Sequence, residues 1–94
     1  MDKLTKIISR CKGGFYLEVN THKDDYTSLT DRIDYLTGIV GVDLSSQMQS
    51  DMIKNDNIVE ITCYADTPIG SYCVYHYSLD AAIDDMFDTL GLSI

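Results

Sequence analysis

The stretch IVEITCYADTPIGSYCVYHYS, residues 58–78, decides the fold. It contains two runs of alternating, strand-forming residues, 58–65 and 71–78, on either side of the segment DTPIG at residues 66–70. Proline early and glycine late in such a segment are typical of a tight turn, because proline fixes φ and glycine accepts unusual backbone angles. The stretch therefore predicts a β-hairpin.

The turn also predicts the register of the hairpin. With the turn placed between Asp66 and Ser71, Cys63 faces Val74 across the two strands. One face is then mainly aliphatic and is assigned to the core, and the other face is rich in tyrosine. The tyrosines expected on that second face are Tyr64, Tyr75 and Tyr77. Cys63 and Cys73 fall on opposite faces and are expected to be separate, buried free thiols.

Hydrophobic periodicity predicts four helices and one further strand outside the hairpin. The helices are expected over residues 2–12, 28–40, 43–55 and 79–90, and the strand over residues 15–20. The order α-β-α-α-β-β-α predicts an α+β fold, with a three-stranded, mainly antiparallel sheet and helices packed on one of its faces. Because the chain has 94 residues and no linker or internal repeat, we expect a single domain over residues 1–94.

Capping signals and apolar stripes support these helices. Asp43 is expected to cap the third helix and Ser78 the last, while Ser28 and Asp31 stand at the spacing of a capping box. Each helix then presents one apolar stripe to the core. The stripes are Leu4, Ile7, Ile8 and Cys11; Leu29, Ile33, Leu36 and Val40; Leu44, Met48 and Met52; and Leu79, Ala82, Ile83, Met86 and Leu90.

Charge is distributed unevenly along the chain, which has a formal net charge of −8. Residues 1–23 hold five of the seven basic residues, whereas residues 24–94 hold 13 acidic and two basic residues, a net charge of −11. Thirteen of the 15 acidic residues are aspartate, which is a poor residue for helix interiors, so helix propensity does not explain the bias. The alternatives are a solvated surface and a surface that meets a basic partner.

Cysteine use and hydropathy predict the compartment. Three cysteines without a disulfide spacing pattern indicate reduced thiols in the cytoplasm. No window approaches 18 consecutive apolar residues, and the first residues lack the apolar run of a secretory signal. We therefore expect a cytoplasmic protein with no membrane segment.

Ligand-binding motifs are weak throughout the chain. His22, Asp24 and Asp25 form the one loose group of metal-ligand residues, but a structural zinc site needs about four ligands. Gly13 and Gly14 precede a strand instead of opening a helix, so they do not form a phosphate-binding loop. We expect no metal and no cofactor, and the alternative left open is a small metal protein or enzyme that uses His22 and Asp24.

Catalysis and nucleic-acid binding are also disfavoured. Cys63 and His76 share a face of the predicted hairpin, but no orienting acid is visible beside them, so we expect no enzymatic activity. A sheet face with several tyrosines is similar to the stacking platforms of single-strand-binding proteins. Its neighbours Glu18, Glu60 and Asp66 repel phosphate, so we expect no direct contact with nucleic acid.

The last predicted helix carries the most regular acidic pattern. Asp80, Asp84 and Asp88 recur every four residues on one face, with Asp85 beside them. Each step rises about 6 Å, close to the spacing of phosphates along a nucleic-acid strand. Such a row of carboxylates can occupy lysine and arginine sites that otherwise hold phosphates, and complementary fields speed association.

Two parts of the chain resemble a family of small uncharacterised proteins from bacterial and phage genomes. They are VEI, YADTPIGSY and YHYSLDAA at residues 59–61, 64–72 and 75–82, and VNTHKDDY at residues 19–26. In size, acidity and lack of motifs the chain resembles phage-encoded inhibitors of bacterial defence, including anti-CRISPR proteins. The resemblance carries over no functional residue, and it implies action in the cytoplasm of a bacterial host cell.

We therefore expect a small acidic, non-enzymatic protein that binds and inhibits a host protein, as an anti-CRISPR-type inhibitor acting by steric occlusion or phosphate mimicry. The expected partner is a basic effector that binds nucleic acid. The residues expected to bind it are Asp80, Asp84, Asp85, Asp88, Tyr64, Tyr75 and Tyr77. The alternative is a structural or assembly protein that self-associates, for example as a homodimer, through the tyrosine-rich sheet face.

Overall fold

The computed structural model describes residues 2–20, 29–64 and 71–93 and confirms the α+β fold and its element order. The elements are α1 (Lys3–Arg10), β1 (Gly14–Asn20), α2 (Leu29–Tyr35), a π-helix (Leu36–Val40), α3 (Ser46–Lys54), β2 (Ile58–Tyr64), β3 (Ser71–His76) and α4 (Leu79–Thr89). The strands form one antiparallel sheet in the order β1-β2-β3, and helices pack against it. Among the described residues, no helix combines the length and hydropathy that crossing a bilayer requires.

β2 lies at the centre of the sheet, with β1 on one side and β3 on the other. Five of its seven residues are buried, so it is covered on both faces. These residues are Ile58, Val59, Ile61, Thr62 and Cys63. Because side chains alternate along a strand, β2 supplies apolar groups to two separate clusters, one on each face.

The first cluster lies on the sheet face that the sequence assigns to the core. There α1 and α4 place Ile7, Met86 and Phe87 against Val59 and Ile61. Ile7, Val59, Ile61 and Met86 are fully buried. Burial of one such side chain contributes about 1.5–3 kcal/mol, so this layer supplies a large part of the stability.

The second cluster lies on the opposite face, where α2, the π-helix and α3 pack. Ile33, Leu36 and Met52 from this helical layer are buried together with Ile58, and Tyr75 packs against the group. Helices therefore cover parts of both faces of the sheet, whereas the sequence places them on one. The helical layer packs on the tyrosine-rich face because tyrosine combines a large apolar ring, which can be buried, with a polar tip.

The register of the hairpin differs from the predicted register by two residues. Cys63 pairs with Tyr72, and Val74 pairs with Ile61, whereas the sequence pairs Cys63 with Val74. A shift of two residues keeps every side chain on its own face, so the hydrophobic pattern cannot distinguish the two registers. The predicted turn at residues 66–70 lies outside the described residues, as do the predicted loop at residues 21–26 and the cap at Ser28.

Two helix details also differ from the predictions. α3 is capped by Ser45, whose Oγ accepts a hydrogen bond of 3.0 Å from the Met48 amide, and not by Asp43. Val40 is exposed, although it belongs to the predicted stripe of the second helix. The chain there is a π-helix, and its wider turn moves Val40 off the line of Leu36. The Ser78 cap of α4 is confirmed, with a 3.1 Å hydrogen bond from the Ala81 amide.

The cysteines also depart from the predicted set of buried free thiols. Cys11 and Cys63 form a disulfide with a Cα–Cα distance of 5.1 Å, and both residues are buried in the first cluster. Cys73 is a free thiol, but it is exposed. The prediction that Cys63 and Cys73 do not bond to each other is confirmed. The disulfide connects the C-terminal end of α1 to β2 and so fixes the helix on the sheet.

Breaking this disulfide should destabilise the protein. The bond closes a loop with a sequence separation of 52 residues, and a loop of this length restricts the unfolded chain by about 4 kcal/mol in the chain-entropy model. We expect Cys11→Ser to lower the free energy of unfolding by about 3–4 kcal/mol, measured by urea unfolding. Cys73→Ser is the matched control and should change that free energy by less than about 1 kcal/mol.

Thiol counting checks the same bond directly. Without reductant, the denatured protein should react with one equivalent of a thiol-alkylating reagent, and after reduction with three. Three reactive thiols before reduction would contradict the Cys11–Cys63 bond.

Candidate protein-binding site

The four aspartates of α4 have different surroundings. Asp80, Asp84 and Asp88 are exposed, whereas Asp85 is partly buried. The exposed three define the outer acidic face of α4. Asp84 Oδ1 lies 2.8 Å from Nζ of Lys3 in α1, and this pair raises the pKa of Lys3, with a further contribution from Asp88. The outer acidic face therefore has Lys3 beside it, and the last turn of α4 contains no basic residue.

Asp85 points toward β3 and not along the row. Its Oδ2 lies 2.7 Å from Nε2 of His76, and its Oδ1 accepts a hydrogen bond of 3.4 Å from Thr89. The His76 side chain is only 16% exposed, and its Nδ1 is buried without a hydrogen-bond partner among the described residues. The sequence groups Asp85 with the outer acidic face, and the structure separates it from that face.

The tyrosines predicted as anchors are not close to the outer acidic face. The strand register places Tyr64 and Tyr75 on the sheet face opposite α4, and Tyr77 packs against the second cluster on the same side. Tyr64 is 48% exposed, but Tyr75 and Tyr77 are partly buried against the second cluster. The face is therefore not open along its length, and the structure does not bring the tyrosines and the aspartates of α4 into one surface.

Tyr75 has the most perturbed hydroxyl of the described tyrosines. Burial raises the pKa of Tyr75 well above its ordinary value, and the neighbouring Cys73 and Glu60 raise it further. Cys73 Sγ also accepts a hydrogen bond of 3.3 Å from the Thr62 hydroxyl. Of these groups, Tyr75 packs against the second cluster, whereas Cys73 is exposed.

A groove along the outer edge of β3 is the feature that the sequence does not predict. It has a volume of about 690 Å³, and its lining includes Asp43, His76 and Asp85. The groove depends on how residues 42–45 approach β3, a long-range arrangement that leaves no local signal in the sequence. A polar His76 on an otherwise apolar strand face is the one signal that points to it.

Among the described residues, no arrangement of side chains supports the catalytic alternative or the metal-binding alternative. Cys63 is bonded to Cys11, so the pairing of a Cys63 thiol with His76 is absent from this structure. No three histidine, cysteine, aspartate or glutamate side chains come together as metal ligands within residues 2–20, 29–64 and 71–93. His22, Asp24 and Asp25 lie outside the described residues. No protein-family model, curated protein or solved structure matches the chain.

Tyr75 should make stability fall at alkaline pH. An unfolded tyrosine ionises near pH 10, but folded Tyr75 keeps its proton to higher pH, so the stabilising effect is full below pH 10 and decreases as pH rises above it. We expect urea unfolding between pH 9 and 11 to show a smaller decline for Tyr75→Phe than for the native chain. One proton limits the effect to about 1.4 kcal/mol per pH unit, and solvent near this partly buried group keeps it lower.

The control for this measurement is Tyr64→Phe, which removes an exposed hydroxyl. A decline for Tyr64→Phe that is as small as that of Tyr75→Phe would show that the loss of any tyrosine hydroxyl, and not of Tyr75, causes the effect. An equal decline for native and Tyr75→Phe proteins would show that Tyr75 ionises alike in the folded and unfolded states.

Proposed function

We propose that this protein binds a basic surface of a bacterial protein that itself binds nucleic acid, and that it blocks that surface as a non-enzymatic inhibitor of the anti-CRISPR type. The observation that carries the proposal is the outer acidic face of α4. Asp80, Asp84 and Asp88 stand one helical turn apart, all exposed. Their spacing of about 6 Å per step suits lysine and arginine side chains that otherwise hold successive phosphates.

The electrostatics of the whole chain support the same partner. A net charge of −8 on 94 residues produces a field that attracts a basic surface and repels nucleic acid. Lys3 neutralises part of the outer acidic face, but its pair with Asp84 is exposed at the surface. Exposed pairs of this kind contribute little to stability, so a partner's arginine can replace Lys3 at small cost.

The proposal includes action in the cytoplasm of the host, where disulfides are rare. The Cys11–Cys63 bond therefore has to persist against cellular thiols. Both residues are buried, and thiol–disulfide exchange depends on access of the attacking thiolate to sulfur. Burial of the bond is compatible with a long lifetime in a reducing compartment.

Reversing charge on the outer acidic face should abolish partner binding. The test variant combines Asp80→Lys with Asp88→Lys and keeps the Lys3–Asp84 pair. The bait is the tagged protein in a bacterial lysate, and bound proteins are identified by mass spectrometry. We expect the native protein to capture a nucleic-acid-binding protein that added double-stranded DNA displaces, and we expect the variant to lose at least 90% of that capture.

A matched control separates position from net charge. Asp34→Lys combined with Asp51→Lys makes the same change in charge on α2 and α3, and it should retain capture. If the partner stays bound to the α4 variant, or if DNA does not compete, then the outer acidic face is not the binding surface. Thermal unfolding of all three proteins checks that the substitutions leave the fold intact.

Self-association is a second candidate function, and the edge strand β1 favours it. Leu17 and Val19 are 38% and 42% exposed, and Tyr16 is exposed on the other face. Within the described part of the chain, no strand pairs with the outer edge of β1. Natural edge strands are usually guarded by charged side chains, proline or a bulge; β1 has no proline, and its one charge, Glu18, lies 3.7 Å from Arg32 of α2. Two copies can pair antiparallel through β1 and cover these side chains.

A charge on β1 should prevent such pairing. If the protein dimerises through β1, Leu17→Lys should raise the dimer dissociation constant at least tenfold in analytical ultracentrifugation. Ile39→Lys is the control, because Ile39 is 76% exposed on the π-helix, far from β1 in the chain. A native protein that remains monomeric at millimolar concentration would rule out this second candidate.

A further inference from the structure

The groove beside β3 is bounded by three parts of the chain. Residues 73–76 of β3 form its floor. Residues 42–45, with Met48 of α3, form one wall, and Asp85 and Thr89 of α4 form the other. The two walls belong to opposite faces of the sheet, because α3 packs in the second cluster and α4 in the first. The groove therefore runs along the open edge of β3, between the two helical layers.

β3 is the edge strand on this side of the sheet. No other strand of residues 2–20, 29–64 and 71–93 pairs with its outer side. In an antiparallel strand, alternate residues direct their N–H and C=O groups away from the neighbouring strand. These groups of β3 point into the groove, where an extended chain can accept and donate backbone hydrogen bonds.

The two walls differ in chemistry, and this difference specifies the side chains of an occupant. The wall formed by residues 42–45 and Met48 presents the apolar side chains of Val42, Leu44 and Met48, with Asp43 and Ser45 between them. The opposite wall presents the Asp85 carboxylate, and the groove lining contains no lysine or arginine. Side chains of a strand point alternately to the two faces of a sheet. An added strand would therefore direct apolar residues to the first wall and cationic residues to Asp85.

We propose that this groove binds an extended peptide segment with alternating apolar and basic residues, which joins the sheet as a fourth strand beside β3. The charge of the groove favours this occupant over a second copy of the chain, because a second copy carries a net charge of −8. In a second copy, β3 also lies between the same two walls, which stand in the way of pairing between two β3 strands. The inference goes beyond the proposed function, since it needs none of Asp80, Asp84 and Asp88.

Defined peptides test the inference. The probe is an acetylated and amidated hexapeptide of alternating lysine and valine, titrated into the ¹⁵N-labelled protein at 150 mM salt. We expect saturable shifts centred on the amides of residues 73–76. A hexapeptide with the same composition in two blocks, and one with glutamate in place of lysine, should each bind at least tenfold more weakly.

Two further arms separate strand addition from simple charge attraction. N-methylation of alternate residues removes backbone donors from one edge of the peptide, so one of the two N-methylation patterns should weaken binding at least tenfold. Asp85→Asn should weaken binding at least threefold and can keep a hydrogen bond to His76, whereas Asp80→Asn on the outer acidic face should leave the affinity unchanged.

The opposite results would overturn the inference. Equal binding of both N-methylated peptides would exclude strand addition, and shifts centred on Asp80, Asp84 and Asp88 would assign the peptide to the outer acidic face. A concentration-dependent dimer with shifts at residues 73–76 in the absence of peptide would assign the groove to a second copy. If the lysate experiment shows that the outer acidic face does not bind a partner, the result of this titration is unaffected. The proposed function and the peptide-binding groove can therefore be disproved separately.

Discussion

The fold depends on β2, because this strand is paired on both sides and buried on both faces. Val59, Ile61 and Cys63 project into the first cluster, and Ile58 projects into the second. A domain of this size buries a modest share of its surface, so few side chains connect its layers. The Cys11–Cys63 bond adds a covalent link from the same strand to α1, and it thereby joins the start of the chain to the centre of the sheet.

A three-stranded sheet with a central β2 leaves two edges, and they have different surroundings. The edge at β1 exposes apolar side chains such as Leu17 and Val19, and it suits a symmetric contact. The edge at β3 lies between the wall that carries Val42, Leu44, Met48 and Asp43 and the wall that carries Asp85, so it suits a strand with unlike faces. The surfaces available for binding thus follow from the small number of strands as well as from the acidic composition.

Local patterns in the sequence predict those parts of the fold that depend on local chemistry. The Ser78 cap, the stripe through Ala82 and Met86, and the faces of β2 and β3 follow from capping and periodicity. The two-residue shift in register does not, because both registers keep each side chain on its face. The disulfide does not follow from the pattern either, because Cys11 and Cys63 stand at core positions, where a buried thiol and a buried disulfide look the same in the sequence.

In the candidate site, the number of charges in the sequence does not predict the surroundings of each carboxylate. Asp84 and Asp85 are neighbours on α4, yet one pairs with Lys3 at the surface and the other with His76 beside the groove. Asp88 stands in the last turn, where the helix dipole disfavours a negative charge, whereas Asp80 in the first turn is favoured. Lys3 offsets part of the unfavourable field at Asp88. Helix stability therefore does not account for a carboxylate at position 88, whereas the proposed binding of a cationic surface would use it, since that proposal draws on a row that continues to the end of the helix.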